Sequence, residues 1–223
     1  MPEPQRGRGR RRRPLQAART AATLPLALAL SLTPAAPAAA SEPVIAVYDC
    51  YSAHVQGSHT VAHAIKLYGD APQRVTPRES FPVVVDVPPF VADPRFNSEV
   101  RQVRLSFLLP ADATVVGAEV SGGSAPARVL RDHEVVVLEA EGPFPAGEVI
   151  ALPSLTLHLR PGDDGAEELS LRHGGATLAE PAFSWLGTGS QGEPHPLACF
   201  LPAPVPLTST EVGPEEPRGS RRT

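Results

Sequence analysis

Hydrophobic and polar residues alternate with a period of two over many short stretches of this chain. In "VRQVRLSFLLP" apolar and polar side chains alternate from Val103 to Phe107, and in "LPSLTLHLRP" they alternate from Leu155 to Leu159. Successive side chains of a β-strand point to opposite faces of the sheet. The pattern therefore predicts strands that bury one face and expose the other.

Further candidate strands recur about every dozen residues along the chain. They are "VIAVYDC", "HTVAHAIKLYG", "FPVVVDVPP", "TVVGAEV", "HEVVVLEA", "ELSLRHG" and "PAFSWLG". The segments between them, such as "TPRES", "SGGS", "PGDDG" and "RHGG", contain the residues that tight turns require. Proline flanks most of the candidate strands and is incompatible with the interior of long helices. The sequence therefore predicts an all-β fold, a Greek-key β-sandwich of about eight to ten short strands.

The N-terminal segment has the layout of an export signal. The basic stretch "RGRGRRRR" precedes the apolar run "AATLPLALALSL" and then the small residues of "TPAAPAAASEP". This order predicts a signal peptide, residues 1–40, that is cleaved after Ala40 by the Sec pathway, with a twin-arginine signal as the alternative. The apolar run is shorter than the roughly 20 residues that span a bilayer. We therefore expect a secreted, extracellular protein with no integral membrane segment after cleavage.

Cleavage would also change the charge of the chain. Residues 1–40 hold seven of the 20 basic side chains and one of the 24 acidic ones, so 13 basic and 23 acidic side chains remain. The resulting net charge of about −10 repels phosphate backbones and anionic membranes, and we expect no nucleic acid as a partner. The remaining length predicts one sandwich domain, residues 41–210, and a disordered tail, residues 211–223, that lacks apolar periodicity.

The chain has two cysteines, Cys50 and Cys199, near the two ends of the predicted domain. Export places them in an oxidising compartment, where a lone pair normally forms a disulfide. Such a bond would tie the first strand to the last, and on the chain-entropy model it would stabilise the fold by roughly 5 kcal/mol at most. A reactive thiol or a metal ligand is the alternative, but neither cysteine belongs to a Cys-x-x-Cys or Cys/His spacing.

Several longer stretches carry a family resemblance. They are "VYDCYS", "VTPRESFPVVVDVPP", "VRLSFLLPADATVVGAEVSGGS", "GPFPAGEVIALPSLTLHL", "GGATLAEPAFSW" and "CFLPAPVPLTST". In these stretches the chain resembles a family of secreted actinobacterial proteins with an immunoglobulin-like fold and no settled activity, some of which are labelled cyclase or dehydratase. The resemblance covers residues 44–210 and implies an immunoglobulin-like sandwich outside the cell. It transfers no catalytic residue, because its motifs are turns, strand edges and the paired cysteines.

The chain departs from the usual pattern of that family in two segments. These are "AHVQGSHTVAH" (53–63) and "GTGSQGEPHP" (187–196), which are rich in histidine and glycine. A function specific to this protein would be expected there.

The histidines of the first segment, His54, His59 and His63, suggest a metal site. On a strand that rises about 3.3 Å per residue, however, His59 and His63 are some 13 Å apart and cannot share one ion. "GTGSQG" matches a pyrophosphate-binding pattern, but the prolines after it cannot open a helix, so we predict a loop. "PGDDGAEE" reads as a solvated hairpin turn rather than a calcium site. No metal ligand and no cofactor is therefore assigned.

Catalytic residues stay unknown at this point. Neither G-x-S-x-G nor S-x-x-K occurs, although a His/Asp/Ser set assembled from distant strands stays open. We expect Trp185 to be a core residue near the disulfide rather than an exposed platform for sugars.

Three hypotheses about function remain. The first is a non-catalytic exported module that acts in the cell envelope or extracellular space through contacts with a protein or a surface. The second is a secreted enzyme, a dehydratase, cyclase or hydrolase, with a site built by loops at one end of the sandwich. The third is a module that binds a small apolar ligand between its sheets.

Overall fold

The computed structural model describes residues 42–54, 57–162 and 167–213, with the side chains of residues 53, 54 and 57–59 excepted. This part of the chain contains 18 strands and no helix. The strands are β1 (Val44–His54), β2 (Gly57–Asp70), β3 (Arg74–Val75), β4 (Phe81–Asp86), β5 (Phe90–Val91), β6 (Glu99–Leu108), β7 (Ala113–Ser121), β8 (Ala127–Asp132), β9 (Val135–Ala140), β10 (Phe144–Pro145), β11 (Val149–Ile150), β12 (Ser154–Pro161), β13 (Glu168–Leu169), β14 (Arg172–His173), β15 (Phe183–Thr188), β16 (Pro194–Phe200), β17 (Val205–Pro206) and β18 (Thr210–Val212). Ten of them have six or more residues, in agreement with the predicted number of strands.

Thirteen strands form one hydrogen-bonded sheet that folds into the two layers of a sandwich. The first layer runs β14, β6, β15, β16, β1 and β2, with β9 and β8 beyond β6, and the second runs β2, β4, β12 and β7. β2 belongs to both layers, because it pairs with β1 along its length and with β4 over residues 68–70. The order β16, β1, β2 is a long-range connection of the Greek-key kind. The prediction of an all-β, immunoglobulin-like sandwich is confirmed.

Alternating side chains from both layers build one core. In β6 the apolar positions from Val103 to Phe107 are buried, and in β12 the positions from Leu155 to Leu159 are buried, as the sequence predicts. Each large apolar side chain that is fully buried contributes about 1.5–3 kcal/mol relative to exposure. The same alternation leaves the polar side chains of these strands on the outer face.

The two cysteines form the disulfide that the sequence predicts. Cys50 on β1 lies directly opposite Cys199 on β16, their Cα atoms are 3.9 Å apart, and both residues are fully buried. The bond joins two neighbouring strands of one layer, so the expectation that it ties the first strand to the last is wrong. β16 is not the last strand, because β17 and β18 follow it. β17 pairs with β14, and β18 pairs with β13 and β3.

The ordered domain extends past its predicted end at residue 210. β18 reaches Val212 and pairs with β13 on one side and with β3 on the other, so the start of the predicted tail belongs to the fold. Residues 1–41 and 214–223 lie outside the described residues, and the signal peptide and the remaining tail stay predictions. Within the described ranges no helix has the length and apolar character needed to cross a membrane.

Candidate functional site

A cleft of about 740 Å³ is lined by residues of four strands, most of them inward-facing, and by the segment that follows β5. Its walls come from β1, β2, β15 and β16 and from positions between Val91 and Asn97. Clefts that bind small molecules typically enclose about 300–1,000 Å³. The cleft is therefore large enough for a small molecule, and its side chains decide what it can do.

Ser52 and His195 form a hydrogen-bonded pair in this cleft. Nδ1 of His195 lies 2.9 Å from the carbonyl oxygen of Phe96, and because a carbonyl only accepts, Nδ1 carries the hydrogen. Nε2 is then an acceptor, and the hydroxyl of Ser52 donates to it over 2.7 Å. In this arrangement the serine hydroxyl faces one imidazole nitrogen and a carbonyl acceptor faces the other, so the histidine can take a proton from the serine.

His63 lies at another position of the same cleft, among aromatic rings. Its ring stacks on Phe183 at a centroid distance of 5.8 Å and meets Trp185 edge-on at 6.5 Å. Burial lowers the pKa of His63, because the charged form loses its hydration. Nε2 of this ring is buried and has no hydrogen-bond partner among the described residues.

Asn97 contributes a second buried polar atom without a partner. Its side chain is 5% exposed, and its backbone N–H donates to the carbonyl oxygen of Asp93 over 3.1 Å. Its Oδ1 atom has no hydrogen-bond partner among the described residues. The carboxamide lies against Gly187, where an added Cβ would come within 2.5 Å of Oδ1. The absence of a side chain at position 187 is therefore what leaves room for Asn97.

Tyr48 and His173 form a further pair that lies in the core and not in the cleft. The hydroxyl of Tyr48 donates to Nε2 of His173 over 2.6 Å, and Nδ1 of His173 donates to the carbonyl oxygen of Ser106 over 2.8 Å. Both side chains are fully buried, and burial lowers the pKa of His173 to about 4. This pair has no access to a substrate, so we interpret it as structural.

The outer side of the first layer is apolar over four neighbouring strands, β15, β16, β1 and β2. Alternate residues of these strands point away from the core, and Ile45, Val47 and Leu186 are each more than half exposed. We call this surface the outer apolar face. Its members are Ile45, Val47, Asp49, Tyr51, Thr60, Ala62, Ala64, Lys66, Ser184, Leu186, Pro196, Ala198 and Phe200.

The structure locates several residues that the sequence singled out. The side chains of His54 and His59 lie outside the described part, and within that part no group of three metal-ligating side chains occurs. The "GTGSQG" segment ends β15 with Gly187 and Thr188 and forms the turn to β16 with residues 189–192, so the prediction of a loop is correct for its last four residues. Residues 163–166 of the acidic segment lie outside the described residues.

Trp185 is buried as predicted, but a different ring lies opposite the disulfide. Phe183 is the cross-strand neighbour of Cys199, whereas Trp185 pairs with Leu197 and stacks on Phe90. The indole faces the cleft as well as the core.

The two segments that depart from the family pattern meet in the cleft. Segment 53–63 supplies Thr60, Val61 and His63, and segment 187–196 supplies His195. The sequence analysis missed the Ser52–His195 pair and Asn97. No local signal could have found the pair, because its members are 143 positions apart and meet only through the pairing of β1 with β16.

No protein-family model matches the sequence, and no curated protein matches it either. The resemblance to the secreted actinobacterial family therefore stays a prediction.

Several solved structures align with part of this chain. The crystal structure of a Corynebacterium diphtheriae protein described as membrane-anchored aligns with a TM-score of 0.48 at 12% identity, over 78% of this chain and 38% of that one. This chain thus spans well under two thirds of that protein. A cohesin module from a Clostridium perfringens family 33 glycoside hydrolase aligns with a TM-score of 0.39 at 13% identity, over 68% of this chain and 98% of the module. A non-cellulosomal cohesin from Archaeoglobus fulgidus aligns with a TM-score of 0.32 at 12% identity, over 66% and 91%. Similarities at this level do not indicate the function of this chain.

Proposed function

We propose that the protein is an exported, non-catalytic β-sandwich module that binds another protein of the cell envelope or extracellular space through its outer apolar face. The observation that carries this proposal is the exposure of Ile45, Val47 and Leu186 on one side of a four-stranded sheet. A sheet face that meets only water normally carries polar side chains. A contiguous exposed apolar patch is typical of a surface that another molecule covers.

The charges on the face indicate the chemistry of the partner. Asp49 lies between Val47 and Tyr51 on β1, and the face carries one basic residue, Lys66, near its edge. The expected charge of the exported chain is also strongly negative. A partner with an apolar patch bordered by basic side chains would complement both features, because opposite charges steer association and reject wrong partners.

The disulfide supports the exported location. A bond between Cys50 and Cys199 persists in oxidising compartments and is rare where cytosolic thiols are kept reduced. Sequencing the N-terminus of the protein recovered from the culture medium would test export, and we expect it to begin near residue 41.

Photo-crosslinking in the cells that make the protein tests the face. A photoreactive residue at position 47 should give a discrete crosslink to an envelope protein, whereas the same residue at position 116, a valine of similar exposure on β7, should not. Excess wild-type domain should suppress the crosslink, and the Val47→Arg domain should fail to do so. A crosslink to a second copy of the chain, a crosslink to lipid, or no competition would each refute the proposal.

A second candidate, a hydrolase that uses Ser52, rests on the Ser52–His195 pair. Oγ of Ser52 would attack the carbonyl carbon of an ester while its hydrogen passes to Nε2 of His195. The imidazolium would return this hydrogen to the leaving alkoxide, and water would release the acyl group by the same route. The carbonyl oxygen of Phe96 holds the imidazole in the tautomer that this step requires.

A serine-directed fluorophosphonate probe separates the two candidates. A hydrolase would be labelled at Ser52, and the Ser52→Ala variant would lose the label. Ser106→Ala is the matched control, since Ser106 is equally buried and its hydroxyl donates to the carbonyl oxygen of Pro181. Absence of label on the folded wild-type protein would eliminate the hydrolase and leave the module.

A further inference from the structure

We propose that the cleft between β1, β2, β15 and β16 is a binding site for a small uncharged molecule that has a flat apolar body and a hydroxyl or amide N–H donor. Most of its lining residues, such as Ser52, Val61 and His63, point to the inner side of the strands, whereas the outer apolar face lies on the opposite side and borders the cleft at Ala62. The inference therefore goes beyond the proposed contact with a protein partner.

The walls of the cleft supply apolar contact. Val61, Val91 and Phe96 are each about half exposed or more, and all three line the cleft. Trp185 also lines the cleft; it is 8% exposed, and its indole is held in place by stacking on Phe90 at a centroid distance of 6.4 Å. Valine side chains and a fixed indole favour a flat, apolar ligand, since such a molecule covers them at little entropic cost.

Two buried polar atoms supply the specific contacts. Asn97 and His63 both line the cleft, and Oδ1 of Asn97 and Nε2 of His63 are buried atoms that have no hydrogen-bond partner among the described residues. A buried polar atom that stays unpaired is costly, so a ligand that bonds to it gains more than it would at an exposed site. Because Oδ1 is an acceptor, the ligand group that faces it is a donor.

The charges around the cleft favour an uncharged ligand. Asp93 is the one acidic side chain that lines it within the described part of the chain, and Arg95 pairs with this carboxylate at 2.5 Å. His195 already makes a hydrogen bond through each of its ring nitrogens. A charged ligand would lose its hydration in this cleft without meeting an unpaired counter-charge.

The single tryptophan of the chain makes the site directly observable. Trp185 is that residue and lines the cleft, so its fluorescence reports occupancy without any label. We would titrate the protein with 4-hydroxybiphenyl, which has a donor, with 4-methoxybiphenyl, in which the donor is capped, and with biphenyl-4-carboxylate, which is charged. We expect a saturable change with the first probe, at least fivefold weaker binding of the second, and no saturable change with the third.

Two variants locate the binding. Asn97→Leu should weaken 4-hydroxybiphenyl about fivefold to tenfold, the loss typical of one hydrogen bond, and should change the affinity of 4-methoxybiphenyl less than twofold. Val61→Arg should abolish the binding of both, because the long side chain occupies the mouth of the cleft. Val47→Arg is the matched control: it places the same side chain on the outer face of β1 and should leave binding unchanged.

The outcomes are separable from those of the proposed function. If Val47→Arg loses the protein partner but still binds 4-hydroxybiphenyl, the substitution affects the outer apolar face and not the cleft. Equal affinity of the hydroxyl and methoxy probes, or retention of binding in Val61→Arg, would overturn the inference. The same holds if the folded wild-type protein gives no saturable change with any probe. Loss of the near-ultraviolet circular dichroism of Asn97→Leu would show that this variant is misfolded. The Val61→Arg variant and the comparison of the hydroxyl and methoxy probes would then test the inference.

Discussion

Tyr48 and His173 are 125 positions apart in the chain, and a hydrogen bond of 2.6 Å joins them inside the core. The bond links β1 to β14, two strands that are not neighbours in the sheet. Nδ1 of His173 in turn donates to the carbonyl oxygen of Ser106 on β6. A short chain of hydrogen bonds thus crosses the core, and both side chains in it have a partner.

Removing the donor of this chain should destabilise the protein. Tyr48→Phe keeps the ring but leaves Nε2 of His173 buried without a partner, which costs about 1–3 kcal/mol. Urea denaturation measures the change, and Tyr51→Phe, which alters an exposed ring on the same strand, should stay within about 0.5 kcal/mol of wild type. Equal effects of the two substitutions would contradict the structural role of the pair.

Stability should fall in mild acid because of His173. The pKa of this group is about 4 in the folded protein and 6.5 as a free side chain, so between these values only the unfolded chain binds the proton. The contribution of His173 to the free energy of unfolding is therefore constant above about pH 6.5 and is lost as the pH falls toward 4. The free energy of unfolding should fall by about 3 kcal/mol over this range. NMR titration of the imidazole checks this directly. A midpoint near 6.5 for His173 would show the assignment to be wrong.

The disulfide should contribute substantially to stability. Replacing both Cys50 and Cys199 by alanine should lower the free energy of unfolding by about 2–5 kcal/mol, as for disulfides of other small exported domains. Urea denaturation with and without reductant provides the comparison. Reductant should bring the wild-type protein close to the double variant and leave the variant itself unchanged, and any other pattern would argue against the bond.

Glu139 should be the most sensitive carboxylate among the described residues. Its side chain is fully buried on β9, between Arg104 of β6 and Arg128 of β8, and both guanidinium groups bond to it. Glu139→Leu removes the shared counter-charge of two arginines that are each about half exposed and can be hydrated, and we expect a loss of about 1–3 kcal/mol. The control is Glu119→Leu, since that side chain is largely exposed and its loss should cost less than about 1 kcal/mol.

Gly187→Ala tests the packing beneath the cleft. The added methyl group would meet the backbone carbonyl of His195 and the carboxamide of Asn97, neither of which can move freely. Overpacking of this kind typically costs about 1–3 kcal/mol. Gly117→Ala is a suitable comparison, because the new Cβ would lie 3.4 Å from the nearest atom of His158 and should be tolerated. Thermal unfolding of the two variants gives the difference.

Strands and their buried faces could be predicted from the sequence, because alternation in β6 and β12 is a local property of the chain. The pairing of Cys50 with Cys199 was also predictable, since the described chain offers no other thiol. The order of the strands could not be predicted in the same way. The expectation that the bond joins the first strand to the last failed because nothing in the sequence distinguishes β16 from the short strands after it.

The cleft was beyond prediction for the same reason. Its contents depend on which inward-facing side chains lack a covering strand, and this is set by the sheet order and by the irregular segment after β5. Histidine and glycine content did single out segments 53–63 and 187–196, and both contribute lining residues. Ser52 and Asn97 gave no such signal, because isolated serine and asparagine residues are common in strands and loops.

The position of β1 between β2 and β16 determines how the protein would respond to mechanical force. A load applied at Glu42 along this strand first shears the ladder to β2, because the ladder to β16 begins only at Asp49. The disulfide then limits the extension, because only the residues before Cys50 can be drawn out before tension passes to β16. Six strand residues, Val44 to Asp49, span roughly 20 Å when extended. Beyond that length the disulfide transmits the load to β16, and the loop that the bond closes stays out of the load path unless the covalent bond breaks.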